Sequence, residues 1–356
     1  MYIIANTHPV EFGGMIKAPG FRAFQYFCQS KTHFAKTKYV LFVERYNLYN
    51  NKMGIYQQYK ANSNVIILAR DNFETFVERI EDSSFVFTQA DFVAEAYLAK
   101  EKNDVYYDIL APKLLELTVG GFNPAQIKKY EVYHDHMLHL AKEVFVNGEK
   151  TLDWIRSDSQ NTDIGKLNKF TPTQPFSMQT RKNREFIFFG GTTHNWINNT
   201  HFLRTMYAYL KKEPDQKAFF LTNPVNLQTP ANREISQLSL LHNVHFITNV
   251  TLHNYLDILG MSFGFLDLSD HTLEREYSTS TRVLQSIYAG VPALHQTNTG
   301  LDSFWPEFPG LLVDADAFHA DHVHEFVQNA KKKNYSGALE QARIIKDEIL
   351  NTDIFC

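Results

Sequence analysis

A chain of 356 residues is long enough for two domains of ordinary size, and 44% hydrophobic with 21% charged residues is normal for a soluble globular protein. The two cysteines, Cys28 and Cys356, exclude a disulfide framework and fit a reducing compartment. The first residues lack the features of a signal peptide, and no apolar run approaches the length that crosses a bilayer. We therefore expect a cytoplasmic protein, either free or peripheral to the inner face of a membrane.

The charge of the chain is unevenly distributed. The formal net charge is −4, but residues 1–60 contain eight Lys or Arg and two Glu, so this segment carries +6 and the remainder −10. Residues 20–39 interleave basic with aromatic side chains: Phe21, Arg22, Phe24, Tyr26, Phe27, Lys31, Phe34, Lys36 and Lys38. Such a segment suits an anionic membrane, or DNA phosphates with the aromatics contacting an extruded base, and a solvated helix face is the simpler alternative.

The first half of the chain alternates short apolar runs with helical spacing. Strands are predicted over residues 1–5, 39–43, 64–68, 84–87, 105–109 and 143–146, and helical spacing is clearest over 92–100 and 124–140. This alternation predicts an α/β fold, with a parallel sheet and helices on both of its faces.

A change in composition separates the two halves. Residues 157–184 are rich in Ser, Asn, Thr and Pro, which is typical of a linker, and strands are again predicted over 185–191, 217–222, 244–248, 263–268, 291–294 and 310–313. We accordingly predict an N-terminal domain over 1–165, a linker over 166–184, a C-terminal domain over 185–336 and a final helix over 337–356 that packs back toward the first domain. Two open sheets in series place a ligand at the carboxyl ends of their strands, in the cleft between the domains.

Residues 277–294, Tyr-Ser-Thr-Ser-Thr-Arg-Val-Leu-Gln-Ser-Ile-Tyr-Ala-Gly-Val-Pro-Ala-Leu, form the most informative segment. Ser278, Thr279 or Ser280 can cap a helix, whose first-turn N–H groups and dipole then point with Arg282 toward an anion. The segment predicts a site for a phosphate-bearing ligand. A well-capped helix with a surface Arg is the simpler alternative.

Five segments carry a family resemblance through their order and spacing. They are residues 9–14 (Pro-Val-Glu-Phe-Gly-Gly), 188–191 (Phe-Phe-Gly-Gly), 243–256, 281–292 and 310–314 (Gly-Leu-Leu-Val-Asp). In this order they resemble nucleotide-sugar glycosyltransferases of the GT-B fold, in particular the bacterial family 4 group. The resemblance implies two Rossmann-like domains with parallel sheets facing across a cleft. It also implies a nucleotide diphosphate-sugar, such as a UDP-sugar, as co-substrate, with no cofactor and no metal ion.

Residues of both glycine loops and of the 281–292 helix are assigned to the donor. The predicted donor-binding residues are Gly13, Gly14, Gly191, Thr192, Thr248, Ser278, Thr279, Ser280, Thr281, Arg282 and Gln285. Two departures from the family pattern matter. Gln285 replaces the usual ribose-binding Glu, and the Arg and Lys expected after the second glycine loop are missing, so Arg282 carries most of the positive charge for a diphosphate.

An inverting transfer needs a base for the acceptor hydroxyl, which we expect at a carboxyl end of the first sheet. Asp91 and Asp108 meet this description, Glu11 lies in the first glycine loop, and His8 is a fourth candidate. Asp91 could instead cap the following helix, and Asp108 could hold a turn.

The histidines His134, His136 and His139 offer only local ligands, so we interpret their helix as a surface or interdomain helix rather than a metal site. The sequence as a whole predicts a hexosyl- or pentosyltransferase that acts on a surface glycan or a lipid-linked saccharide. A similar Arg-bearing helix occurs in phage DNA glucosyltransferases, so a modified DNA base is the alternative acceptor. A nucleotide-sugar epimerase of the same fold and a non-catalytic sugar-nucleotide-binding protein are further alternatives.

Overall fold

The protein is described by a computed structural model that covers residues 1–6, 20, 22–27, 36–43, 64–158, 166–169, 184–192, 200–222, 233–248, 250, 252–269, 271–278, 280–299, 312–332, 335 and 337. The chain divides into two compact units. The first contains Met1–Thr118 and Phe122–Pro175, and the second contains Val119–Gly121 and Phe176–Cys356.

The first unit is built around a seven-stranded parallel sheet. Its strands are β1 (Tyr2–Ala5), β2 (Lys38–Val43), β3 (Val65–Ala69), β4 (Ser84–Phe87), β5 (Asp104–Ile109), β6 (Glu143–Val146) and β7 (Lys166–Lys169). They lie in the order β3-β2-β1-β4-β5-β6-β7. Phe85, Val86 and Phe87 of the central strand β4 are all fully buried, as expected of a parallel strand that is covered on both faces.

The helical residues 22–27, five further helices and two short 3-10 turns accompany this sheet in the described part of the chain. The helices are α1 (Phe73–Val77), α2 (Val93–Lys100), α3 (Lys113–Val119), α4 (Pro124–Leu140) and α5 (Glu149–Asp158), and the turns are Arg70–Asn72 and Ala90–Phe92. The long helix α4 begins where Asn123 accepts a hydrogen bond from the backbone N–H of Ala125 at 2.8 Å and Pro124 occupies the first helical turn.

The second unit contains a six-stranded parallel sheet. Its strands are β8 (Phe186–Thr192), β9 (Ala218–Thr222), β10 (Val244–Ile247), β11 (Ser262–Asp267), β12 (Ala293–Gln296) and β13 (Leu312–Val313), in the order β10-β9-β8-β11-β12-β13. The described helices are α6 (Thr200–Lys212), α7 (Arg233–Ser239), α8 (Leu252–Met261), α9 (Leu273–Tyr277), α10 (Thr281–Tyr288) and α11 (Ala320–Lys331).

The central strand β11 packs closely against helix α11. A Cβ atom added at Gly264 would lie 2.7 Å from Cε1 of Phe326, a residue that is itself buried. Glycine at this position therefore allows the helix to approach the sheet.

The predicted alternation of strands and helices is confirmed in both halves, and every predicted strand overlaps an observed one. The predicted linker over 166–184 is wrong for residues 166–169, because they form β7 and pair with β6 in the first sheet. The predicted C-terminal helix beyond Gly337 lies outside the described residues.

Residues 20–39 were expected to contact a membrane or DNA. This expectation is wrong for those residues of the segment that lie in the core. Arg22, Tyr26, Phe27 and Tyr39 are at most 2% exposed, and Phe24 contacts the rings of Phe27 and Tyr39. The aromatic pattern of this segment therefore reflects packing inside the first unit.

Candidate functional site

The strand order of the second sheet locates a crevice. The chain runs outward from β8 to β9 and β10, and then continues on the other side of β8 with β11, β12 and β13. Ligands of open parallel sheets bind outside the carboxyl ends of the strands at such a reversal of strand order. The expected site of this unit is therefore the edge at which β8 and β11 end.

Arg282 spans this crevice from the second residue of helix α10. Its Nη1 donates a hydrogen bond of 2.7 Å to the carbonyl oxygen of Gly190 near the end of β8. Its Nη2 lies 2.9 Å from Oδ1 of Asp267, the last residue of β11. The side chain keeps 18% of its surface exposed, so Arg282 is held in place without being fully enclosed.

Asp267 is the centre of a buried polar network. Ser280 donates its hydroxyl proton to Oδ2 at 2.5 Å, and Nη2 of Arg275 lies 3.5 Å from Oδ1. Burial alone would raise the pKa of Asp267, but the guanidinium groups of Arg282 and Arg275 outweigh it and hold this pKa well below its usual range. Asp267 is therefore ionised at neutral pH.

His295, in strand β12, completes the network as a neutral ring. Burial lowers its pKa to about 4, against the opposing effect of Asp267. With the proton on Nδ1, the ring donates to the backbone carbonyl of Asp267 at 2.7 Å, and Nε2 accepts from the hydroxyl of Thr299 at 3.1 Å. Asp267, Arg275, Arg282 and His295 together then carry a net charge of +1, which favours an anionic ligand.

The first turn of helix α10 has the predicted cap. Ser280 is the N-cap residue, and its Oγ accepts a hydrogen bond from the N–H of Val283 at 3.4 Å. Its hydroxyl proton is already donated to Asp267, so Ser280 joins the start of the helix to the end of β11. The buried Ser278 ends helix α9, where its hydroxyl lies 3.4 Å from the carbonyl oxygen of Arg275.

The other predicted donor residues lie at different places. Gly191 and Thr192 end β8 beside the carbonyl that holds Arg282, Thr281 opens α10, and the buried Gln285 lies one turn further along that helix. The half-buried Thr248 follows β10, two strands away from β8. Gly13, Gly14 and Thr279 lie outside the described residues.

In the first unit, the strand order reverses between β1 and β4. Asp91 lies just beyond the carboxyl end of β4, in the turn Ala90–Phe92, and is exposed. Its backbone carbonyl accepts a hydrogen bond of 2.6 Å from Nη2 of Arg70. The predicted alternative that Asp91 caps the next helix does not match this geometry, since the N-cap residues are Gln89 for the turn and Phe92 for helix α2.

Asp108, the second candidate base, is enclosed in the core of the first unit. Arg22 donates to both carboxylate oxygens, from Nε at 2.9 Å and from Nη2 at 2.7 Å, and the hydroxyl of Tyr26 donates at 2.5 Å. Nη1 of the same arginine lies 3.2 Å from Oδ1 of Asn147. A carboxylate with all these donors and 1% exposure is suited to holding the core together rather than to meeting an acceptor hydroxyl. Glu11 and His8 lie outside the described residues.

Helix α4 is a surface helix, as predicted, since only His134, Met137 and Leu138 of Pro124–Leu140 are buried. His134 is buried in the first unit, where its Nδ1 lies 3.0 Å from the hydroxyl of Tyr107 and its ring stacks on Trp154. His136 and His139 are exposed and bind Tyr97 and a backbone carbonyl, respectively. Within the described ranges, no group of three or more His, Cys, Asp or Glu is placed to hold a metal ion.

The sequence analysis missed three members of the network: Asp267, Arg275 and His295. A sequence signal for Asp267 existed, because an acidic residue stands in the otherwise apolar run Phe263-Gly-Phe-Leu-Asp-Leu268. A charged residue at the end of a buried parallel strand is unusual and indicates a buried polar network.

Comparison with solved structures identifies the class of fold. The chain resembles HepE of Anabaena in complex with UDP and glucose, with a TM-score of 0.64 and 10% identity over 98% of this chain and 94% of that one. It also resembles sucrose-phosphate synthase of Thermosynechococcus elongatus (TM-score 0.65, 14% identity, 98% and 94% covered) and a glycosyltransferase of Rickettsia africae (TM-score 0.59, 8% identity, 98% and 92% covered). These similarities confirm the predicted GT-B fold. No protein-family model matches the chain, and no curated protein matches it in sequence.

No helix formed by the described residues is long and apolar enough to cross a membrane.

Proposed function

We propose that this protein is a glycosyltransferase that moves a sugar from a nucleotide diphosphate-sugar to an acceptor hydroxyl. The observation that carries the proposal is Arg282, which is held across the β8–β11 crevice by Gly190 and Asp267 yet stays partly exposed. A cation at this position suits the diphosphate of a donor. UDP is the first nucleotide to test, because HepE of Anabaena, which shares the fold, was solved with UDP and with UDP-glucose.

We propose that Arg282 acts in the step that breaks the bond between the sugar and the diphosphate of the donor. As this bond breaks, negative charge grows on the diphosphate, which is the leaving group. A guanidinium that is already oriented stabilises this charge without reorganising, which lowers the barrier. The N–H groups at the start of helix α10 would add hydrogen-bond donors on the same side.

The acceptor is assigned to the first unit. If the transfer inverts the anomeric centre, the acceptor hydroxyl needs a base. Asp91 is the best placed of the described candidates, because it is exposed and follows β4 at the β1–β4 reversal. We propose a surface glycan or a lipid-linked saccharide as the acceptor class.

A panel of donors tests the function. Thermal shift with UDP-, GDP-, ADP- and TDP-sugars should identify one stabilising donor, and mass spectrometry should then detect a transferred sugar on a glycan, a lipid-linked saccharide or hydroxymethylated DNA. Transfer to DNA would replace the proposed acceptor class with the alternative. Donor binding with neither transfer nor slow donor hydrolysis would contradict the enzymatic function, and conversion of the free nucleotide-sugar to an epimer would indicate an epimerase.

A further inference from the structure

We propose that Asp267 is a positioning residue, which fixes the guanidinium of Arg282 across the β8–β11 crevice for the donor diphosphate. This inference rests on the proposed function and adds a residue that acts through Arg282 without touching the ligand.

Two contacts hold the guanidinium of Arg282 in place. Arg282 is held at two different nitrogens, by the Gly190 carbonyl at Nη1 and by Asp267 at Nη2. A hydrogen bond at one nitrogen and an ion pair at another restrict where the planar guanidinium can lie. Gly190 contributes only its backbone carbonyl, so Asp267 is the side chain on which the orientation depends.

The second argument is that Asp267 is itself immobilised. Its side chain has no exposed surface and is contacted by the Ser280 hydroxyl and by the Arg275 guanidinium, and its backbone carbonyl accepts from His295. These partners come from helix α10, helix α9 and strand β12. A carboxylate with no exposed surface cannot contact the donor directly, so any effect on binding passes through its neighbours.

The third argument is the local charge. A single arginine paired with a single carboxylate would be neutralised, and its attraction for a diphosphate would be weak. Here Arg275 and Arg282 share the carboxylate of Asp267, so the three groups retain one positive charge. The pair therefore orients Arg282 without cancelling its attraction for an anion.

The buried pair of the first unit provides a contrast. Arg22 and Asp108 are joined through both carboxylate oxygens, and both side chains are at most 1% exposed. That pair is closed to ligands, whereas Arg282 touches Asp267 through one nitrogen and remains 18% exposed. The Asp267 pair therefore leaves its arginine partly exposed, whereas the Asp108 pair encloses its arginine.

The test is a double-mutant cycle on the full chain, with UDP as the probe and isothermal titration calorimetry as the readout. We expect Asp267→Asn to weaken UDP binding at least about tenfold, or about 1.4 kcal/mol. In an Arg282→Ala background, the same substitution should change the affinity by less than about twofold, since residues that act through one contact are not additive. Asp267→Asn with wild-type affinity, or an equal loss in both backgrounds, would overturn the proposal.

Two further variants keep the test decisive. Ser280→Ala removes the hydroxyl that holds Asp267, and it should cause a smaller loss of UDP affinity. This loss should also disappear in the Arg282→Ala background. Ser280→Ala replaces Asp267→Asn in the test if Asp267→Asn does not fold. Asp108→Asn is the matched control, because it breaks a buried Arg–Asp pair in the other unit and should lower the melting temperature with UDP affinity unchanged.

The outcomes separate the two proposals. If wild-type protein binds UDP and Arg282→Ala binds it at least about tenfold more weakly, while Asp267→Asn binds it with wild-type affinity, only the positioning role fails. If the wild-type chain binds neither UDP nor any nucleotide-sugar of the panel, the proposed function fails, and the positioning role with it.

Discussion

At the scale of single residues, two aspartates with similar sequence signals have different surroundings. Asp108 and Asp267 both occupy strands near the carboxyl edge of a parallel sheet, and each meets an arginine. The sequence analysis selected Asp108, because it follows an apolar strand, and overlooked Asp267. The arginine that pairs with Asp108 lies 86 residues earlier in the chain, whereas Arg282 follows Asp267 by only one helix and its connections. Neither pairing is visible as a local sequence pattern, so the sequence does not distinguish an enclosed pair from one whose arginine stays partly exposed.

A buried histidine makes the stability of the first unit depend on pH. Burial lowers the pKa of His134 to about 4, while an unfolded histidine titrates near pH 6.5. Between these values the unfolded chain binds a proton that the folded chain does not, so the free energy of unfolding falls as the pH drops from about 6.5 to about 4. Above this window the contribution of His134 is constant.

We predict that His134→Phe reduces the slope of unfolding free energy against pH in this window by up to one proton, or about 1.4 kcal/mol per pH unit. Urea unfolding at a series of pH values between 7.5 and 4.5 measures the slope. His136→Phe, which removes an exposed histidine of the same helix, is the control. A slope equal to the wild-type slope in His134→Phe would contradict the assignment.

At the scale of secondary structure, the sequence predicted strands well wherever burial demands a continuous apolar run. The central strands β1, β4, β8 and β11 are of this kind, since parallel strands covered on both faces have little room for polar residues. Strand β7 (Lys-Leu-Asn-Lys) was missed because it is the edge strand of the described sheet, pairs only with β6 there, and carries no apolar run. Its polar composition resembles that of a linker.

The close packing of β11 against helix α11 predicts the effect of a single methyl group. Gly264→Ala places a Cβ atom 2.7 Å from the ring of the buried Phe326, which has to shift. We expect a loss of about 1–3 kcal/mol of unfolding free energy, as for other overpacked cores. Gly337→Ala is the control, because an added Cβ there meets no atom within 4 Å. Equal melting temperatures for the two variants in differential scanning calorimetry would refute the packing argument.

At the scale of the whole molecule, both units use the same architecture, and each has one reversal of strand order. The fold was predictable from the order of weak sequence motifs, since it depends on many local signals that agree with one another. The assignment of a ligand to the second unit needed the strand order, which brings Gly190 to Arg282 across a separation of 92 residues and places both beside Asp267.

A bound donor should protect the backbone around the β8–β11 crevice. In hydrogen–deuterium exchange of the full chain, UDP should slow exchange at the end of β8, the end of β11 and the first turn of helix α10, because all three border the crevice. Helix α4, in the first unit, should exchange as in the unliganded protein. Protection confined to the first unit would place the nucleotide there and contradict the proposed site in the second unit.

The most direct test of the central claim, that the second unit binds a nucleotide diphosphate through Arg282, is the dissociation constant of UDP for Arg282→Ala and for the wild-type chain. Arg204→Ala serves as the control, because Arg204 belongs to the same unit but lies on helix α6, exposed and paired with Glu234. We predict that Arg282→Ala weakens UDP binding at least about tenfold, as expected for loss of a charge-assisted contact, and that Arg204→Ala leaves it unchanged. A folded Arg282→Ala variant that binds UDP as tightly as the wild-type chain would contradict the account.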